Sequence, residues 1–190
     1  MNKKEHLTPE GIQEIVNIKA SMNLGLSERL ADAYPNTCPI PRPEVSYSCS
    51  IDPNWFAGFT SAEGCFFVEI FKHTTTIGLG VKLKFQITQN NRDHELLTNL
   101  SQLLGCGRCE TVKGRKVVNF VVTRVSDVEL KILPLFTEYP VYGVKASDLA
   151  DFRKVLEIMK TGGHLTLEGL EEIRKIKKGM RQARAKRSDT

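Results

Sequence analysis

Between Gly80 and Thr88, apolar and polar residues alternate strictly. Val81, Leu83, Phe85 and Ile87 fall on one side, and Lys82, Lys84, Gln86 and Thr88 on the other. That is the period-two signature of a strand with one buried face. Cys65 to His73 precedes it across the Thr74–Gly78 loop, so the two runs predict a hairpin. From Asp93 to Leu104 the period changes. Leu96, Leu97, Leu100, Leu103 and Leu104 recur on one side of a helix that Gly105 stops. A second hairpin follows: Arg108 to Val112, a turn at Lys113-Gly114-Arg115, then Val117 to Thr123 with Val118, Phe120 and Val122 inward. Ser126-Asp127-Val128-Glu129 reads as a capping box opening a helix that ends before Pro140. Leu149, Phe152, Val155, Leu156 and Met159 mark another, ended by Gly162-Gly163.

The order helix, hairpin, helix, hairpin, helices predicts an α+β fold. A four-stranded antiparallel sheet is expected, with helices covering its core face. Its other face would carry Glu69, His73, Lys82, Lys84, Gln86, Thr88, Arg108, Glu110, Asn119 and Thr123. A solvated polar face is common in antiparallel sheets. Long donors and amides on a pleated ribbon also match base edges and phosphates in a DNA major groove.

The first helix of this unit is Asp52 to Gly64. Asp52 suits the N-cap, Pro53 the first helical position and Gly64 the exit. Ala57, Gly58, Ser61 and Ala62 form a stripe of small side chains that permits close approach of a second helix. Glu63 stands at the C-terminal end, where the macrodipole disfavours an anion. A buried packing helix with a solvated acid is one reading. The other is a helix that docks on its counterpart, bringing two carboxylates together around divalent metal.

An internal repeat lies outside that unit. His6-Leu7-Thr8-Pro9-Glu10-Gly11-Ile12-Gln13-Glu14-Ile15 recurs as His164-Leu165-Thr166-Leu167-Glu168-Gly169-Leu170-Glu171-Glu172-Ile173, and the match runs on to Met22 and Met180. Each copy predicts a helix capped by its threonine. Two copies are too few for a solenoid. Residues 1–28 thus read as an orphan helical segment, like the tail of a preceding unit. Residues 29–51, with four of the eight prolines, read as a stiff linker, and 52–190 as the main unit.

Composition adds a modest bias. The formal net charge is +5, which favours a polyanionic partner. Basic residues gather between Arg174 and Arg187, a pattern also typical of a solvated helix face. Five cysteines without disulfide-like spacing point to reduced thiols. Cys106-Gly107-Arg108-Cys109 resembles half a metal knuckle, but on a strand its two sulfurs fall on opposite faces. No apolar run approaches membrane-spanning length, so no membrane partner is expected. The N-terminus resembles neither a signal nor a transit peptide.

Phe56-Ala57-Gly58-Phe59-Thr60-Ser61-Ala62-Glu63-Gly64 resembles the motif of the LAGLIDADG homing endonucleases. Phe85-Gln86-Ile87-Thr88-Gln89, Leu104-Gly105-Cys106-Gly107, Phe120-Val121-Val122-Thr123 and Gly143-Val144-Lys145 match further stations, covering about residues 50–190. The resemblance is to the C-terminal half of monomeric intron-encoded enzymes of fungal mitochondria, in which two units share a chain. It implies an αββαββα unit and mitochondrial localisation. It implies that Glu63, with the Ala62 carbonyl, holds Mg²⁺ (or Ca²⁺ or Mn²⁺), and that Gln89 and Lys145 are catalytic, ordering water and stabilising charge. It implies DNA contacts from the outward sheet residues above together with Phe67, Phe71 and Val121. It also implies a helix interface at Phe56, Ala57, Gly58, Ser61 and Ala62. Ser61 replaces the motif's first acid, and only one motif is present. Double-strand cleavage then requires a homodimer or a second LAGLIDADG unit. The alternative is a catalytically inactive DNA-binding unit or a maturase acting on intron RNA.

Overall fold

The computed structural model describes residues 4–22, 24–42, 51–74 and 77–185, with side chains to Met180. Part of the expected linker (43–50), part of the first hairpin loop (75–76), Lys186 and Arg187, and the side chains of Arg181 and Arg184 lie outside the described residues. The chain divides into two compact units, Met1–Ser46 and Tyr47–Thr190.

The first unit holds a 3-10 turn (Glu5–Leu7), helix α1 (Pro9–Ala20) and helix α2 (Glu28–Ala33). The Thr8 hydroxyl accepts from Gly11 N–H at 3.1 Å, which fixes the start of α1. The Pro-rich stretch does not stand free of this unit. Cys38 N–H reaches Asn17 Oδ1 (3.1 Å), Ser21 Oγ reaches the Ile40 carbonyl (2.6 Å), and Arg42 reaches the Ser21 carbonyl.

The second unit begins with α3 (Pro53–Glu63), whose cap is Asp52: its Oδ1 accepts from Asn54 N–H at 2.7 Å and Trp55 N–H at 3.3 Å. Strands β1 (Gly64–Lys72) and β2 (Leu79–Asn90) form the first hairpin, and a 3-10 turn leads into α4 (His94–Leu104). Gly105, at φ 58°, ends α4 as the pattern required. Strands β3 (Arg108–Thr111) and β4 (Val117–Val122) complete an antiparallel sheet in the order β1-β2-β4-β3.

The helix expected from Ser126 starts earlier and is not uniform. It opens as α5 (Val125–Asp127), whose N-cap is Arg124, without a side-chain cap bond. It widens to a π turn over Val128–Ile132, where Leu133 N–H reaches back five residues to the Val128 carbonyl, and resumes as α6 (Leu133–Glu138). Pro134 offers no N–H to continue the i→i−4 ladder, which accounts for the widening. Helix α7 (Val144–Lys160) packs on β1, α3 and α8 (Leu167–Ala185).

All helices of this unit that pack on the sheet take the face of Phe66, Val68, Leu83, Phe85, Ile87 and Phe120, which are buried. Aromatic rings hold that layer together: Phe66 stacks on Phe85 (5.1 Å between centroids) and Phe56 on Phe136 (5.6 Å). The other sheet face is left open. Among the described residues no helix is long and apolar enough to cross a membrane.

Candidate nucleic-acid interface

Strand register decides what the open face carries. Phe67 pairs with Lys84, Glu69 with Lys82, Cys65 with Gln86 and Phe71 with Gly80. Across the sheet, Gln86 pairs with Val121, Thr88 with Asn119, Arg108 with Val121 and Glu110 with Asn119. The expected outward residues thus share one surface.

Two kinds of chemistry divide it. At the far end are charges and rings: Lys84 Nζ lies 2.6 Å from Glu69 and 4.7 Å above the Phe67 ring. Phe71 and His73 meet edge to face at 5.7 Å. Nearer the Gly64 end is a neutral network in which Gln86 Nε2 donates to Thr88 Oγ1 (2.9 Å) and Asn119 Oδ1 (3.2 Å), and Thr88 Oγ1 donates to Asn119 Oδ1 (2.7 Å). On the β3 edge Arg108 pairs with Glu110 at 2.5 Å. Val121 departs from expectation. It belongs to this face by register but is only 2% exposed, because a short branched side chain lies between the longer Gln86 and Arg108. It is a floor, not a contact. Cys65, which the sequence reading left out, is half-buried on this face.

The α3 stripe is rotated from the one expected. Phe56 and Ala57, placed at a helix interface from sequence, are 2% and 4% exposed and belong to this unit's own interior. Ser61 is half-committed inward: its hydroxyl donates to the Ala57 carbonyl (2.7 Å) and accepts from Tyr142 N–H (3.0 Å). The free face is Trp55, Gly58 and Ala62, all exposed, with half-buried Phe59 stacked on Trp55 at 5.0 Å. That is the i, i+3, i+4, i+7 spacing of one helix side. The signal was legible, but selecting only small residues passed over Trp55 and Phe59.

Glu63 is exposed at the end of this face, and among the described residues it makes no ion pair. Gly64 is obligatory behind it: a Cβ there would lie 2.6 Å from the Thr60 carbonyl oxygen. This tight exit lets the helix run straight into β1. Gly64 pairs with Ile87, so Gln89, two residues further along β2, comes to the same end of the sheet. Gln89 is half-buried with inward parity. Lys145, in the first turn of α7, brings Nζ to 3.7 Å from Cys65 Sγ, two residues past Glu63. The three residues expected at the catalytic end therefore gather around the α3–β1 junction.

Among the described residues no group of three or more His, Cys, Asp or Glu forms a metal site. A single exposed carboxylate, with helix-end carbonyls that lack intrahelical partners, fits a hard divalent cation only as half of a ligand set. The cysteine pair offers nothing further. Burial, then the nearby Asp127 carboxylate, pushes the Cys106 thiol up, and burial pushes the Cys109 thiol up despite a hydrogen bond from Thr98.

Fold and site together define an open-faced α+β unit with a lone carboxylate where an exposed helix enters the sheet. The chain belongs to the LAGLIDADG endonuclease family, whose sequence model matches residues 56–156. It is 36% identical over 174 residues to probable intron-encoded endonuclease 3 of Neurospora crassa, covering 91% of this chain and 33% of that protein. It is 35% identical to probable intron-encoded endonuclease 2 of the same organism, covering 95% and 41%. Among solved structures it resembles the I-SmaMI LAGLIDADG homing endonuclease bound to cleaved DNA, at 44% identity and TM-score 0.91 over 95% of this chain and 60% of that one. I-SmaMI bound to an uncleaved DNA target with calcium ions gives 43% and 0.92, covering 95% and 62%. I-LtrWI bound to target DNA gives 43% and 0.88, covering 93% and 59%. The chain thus spans 33% and 41% of the two Neurospora relatives and 59% to 62% of the solved chains.

Proposed function

We propose that this chain supplies one LAGLIDADG unit to a two-unit, metal-dependent, site-specific DNA endonuclease. The observation that carries the reading is the junction itself. An acid that has no ion-pair partner among the described residues ends a helix with a solvent-facing side, beside an open face of amides, lysines and arginine. One unit offers one carboxylate, so a second unit must set its own acid opposite Glu63 across the Trp55, Gly58, Phe59 and Ala62 face. Glu63, with the Ala62 carbonyl, would hold the cation, Mg²⁺ in the cell. When bound, such a cation lowers the pKa of water and offsets charge on the scissile phosphate. Gln89 orients the attacking water, Lys145 stabilises charge at the phosphate, and the outer sheet face holds the duplex in register.

A homodimer would supply the second unit. One observation favours a different LAGLIDADG unit instead. In α8, Ile173 and Met180 are 0% and 5% exposed, whereas the matching Ile15 and Met22 near α1 are 48% and 57% exposed. The repeated helix presents uncovered the face its twin buries. Kinship to intron-encoded relatives supports a mitochondrial setting.

The test is Glu63→Gln. It should remove double-strand scission of a bound target in Mg²⁺ by at least about 100-fold while leaving duplex affinity within a few fold. A wild-type chain that, paired with either kind of unit, cuts no duplex but binds intron RNA in a salt-sensitive way would replace this reading with the maturase one.

A further inference from the structure

On the β3 side of the sheet, the outer face drops into a cavity of about 470 Å³. Arg108, Val121 and Thr123 line it from the sheet, so it opens on the face that the duplex would cross. Its far wall is Arg124, Asp127 and Lys131, from the segment after β4. The loop before β3 closes the cavity and is held bare. Gly107 has φ 79°, and a Cβ there would lie 2.4 Å from the Phe120 ring.

Two cations flank one carboxylate, and Arg108, paired with Glu110, stands at the rim. Asp127 stands 4.0 Å from Arg124 Nε and 3.8 Å from Lys131 Nζ, outside hydrogen-bond range, so it steadies both without consuming their donors. Lys131 spends one N–H on the Gly105 carbonyl. Arg124 has a side chain 79% exposed, and Arg108, besides its Glu110 pair, reaches Thr123 Oγ1 at 3.4 Å. A net-positive notch with N–H donors left over on Arg124 and Lys131 suits a tetrahedral oxyanion.

We propose that this notch is a subsite for a backbone phosphodiester of duplex DNA, contacted by Arg124 and Lys131 with Arg108 at the rim. The inference rests on the DNA-binding reading above and extends it past the sheet. A duplex leaving the edge strand has no further base-reading residues beneath it, and the groups it meets next are cations. Contacts of this kind fix position and affinity but carry no sequence information.

The experiment is duplex binding by the full chain against salt concentration, with wild type, Arg124→Ala, Lys131→Gln and the double variant. Lys154→Ala, on the helical layer, is the control. Removing one cation from a phosphate should shallow the slope of log K against log salt by about 0.9. Affinity should fall by the same factor for cognate and scrambled duplexes, with thermal midpoints and the Lys154→Ala slope unchanged. If wild type binds duplex and the double variant keeps its slope, the subsite is wrong and the DNA reading stands. If only cognate binding falls, the residues read bases and the subsite is likewise wrong. If wild type binds no duplex, both readings fall. Inorganic phosphate at millimolar concentration should not raise the thermal midpoint. A saturable rise that disappears in the double variant would assign the notch to a free phosphate compound instead.

Discussion

Ser61 settles which side of α3 is free. Its hydroxyl accepts from Tyr142 N–H, which ties that side of the helix, with Ala57 one turn earlier, to the rest of the unit and leaves Gly58 and Ala62 outside. Cys38 is exposed while Cys106 is buried and Cys109 half-buried, and burial raises the thiol pKa of the latter two. At pH 8 iodoacetamide should therefore label Cys38 at least about ten times faster than Cys106 or Cys109, since the thiolate is the nucleophile. Site-resolved mass spectrometry reads this. Above about pH 8.5, the ordinary thiol value, the unfolded chain releases these protons while the native chain still holds them. Stability then falls as pH rises through that range, and the thermal midpoint should drop between pH 8 and 10. Equal labelling rates would mean that the β3 edge opens readily.

At the scale of elements, α3 separates two roles that its sequence blends. A Cβ at Gly58 meets nothing within 4 Å. Gly58→Leu should leave the unit as stable as before, or more so by up to about 0.8 kcal/mol from helix propensity. It should nevertheless abolish association with a second unit, because a bulky side chain holds the two backbones apart. Phe56→Ala should do the reverse, costing about 3–5 kcal/mol of stability without altering the exposed face. Thermal melts and sedimentation of both variants check the pair. Unchanged association in Gly58→Leu would remove this face from the interface. The repeated helices make the same point. Each copy is preceded by a 3-10 turn, Glu5–Leu7 or Gly163–Leu165; Gly11 and Gly169 both sit where a Cβ would strike a carbonyl of that turn, and Thr8 and Thr166 both cap at 3.1 Å. Local sequence thus fixed both elements alike, while their surroundings differ.

For the whole molecule, the question is pairing. One unit has one Glu63, and an unpaired carboxylate cannot bracket both scissile phosphates. Sedimentation with and without target duplex should show two LAGLIDADG units per DNA in any complex that cleaves. A complex that cleaves both strands with one unit per duplex would overturn the pairing. Low ionic strength should tighten binding uniformly across sequences, as expected for a basic chain of net charge +5.

Alternation in β2, the leucine period of α4 and the Gly105 stop determined those elements and the antiparallel sheet, because each is set by neighbours within a turn or a strand. The motif with Glu63 at its end, and the outward parity of Lys82, Lys84, Gln86 and Thr88, were legible for the same reason. Tertiary structure alone decided the rest. It turned Phe56 and Ala57 inward, sank Val121 beneath longer neighbours, drew the Pro-rich stretch onto α1, and gathered Arg108, Arg124 and Lys131 around one notch. Each of these depends on what distant residues occupy, such as Tyr142 beside Ser61 or Phe120 beneath Gly107, and no local period encodes a partner that folding alone supplies.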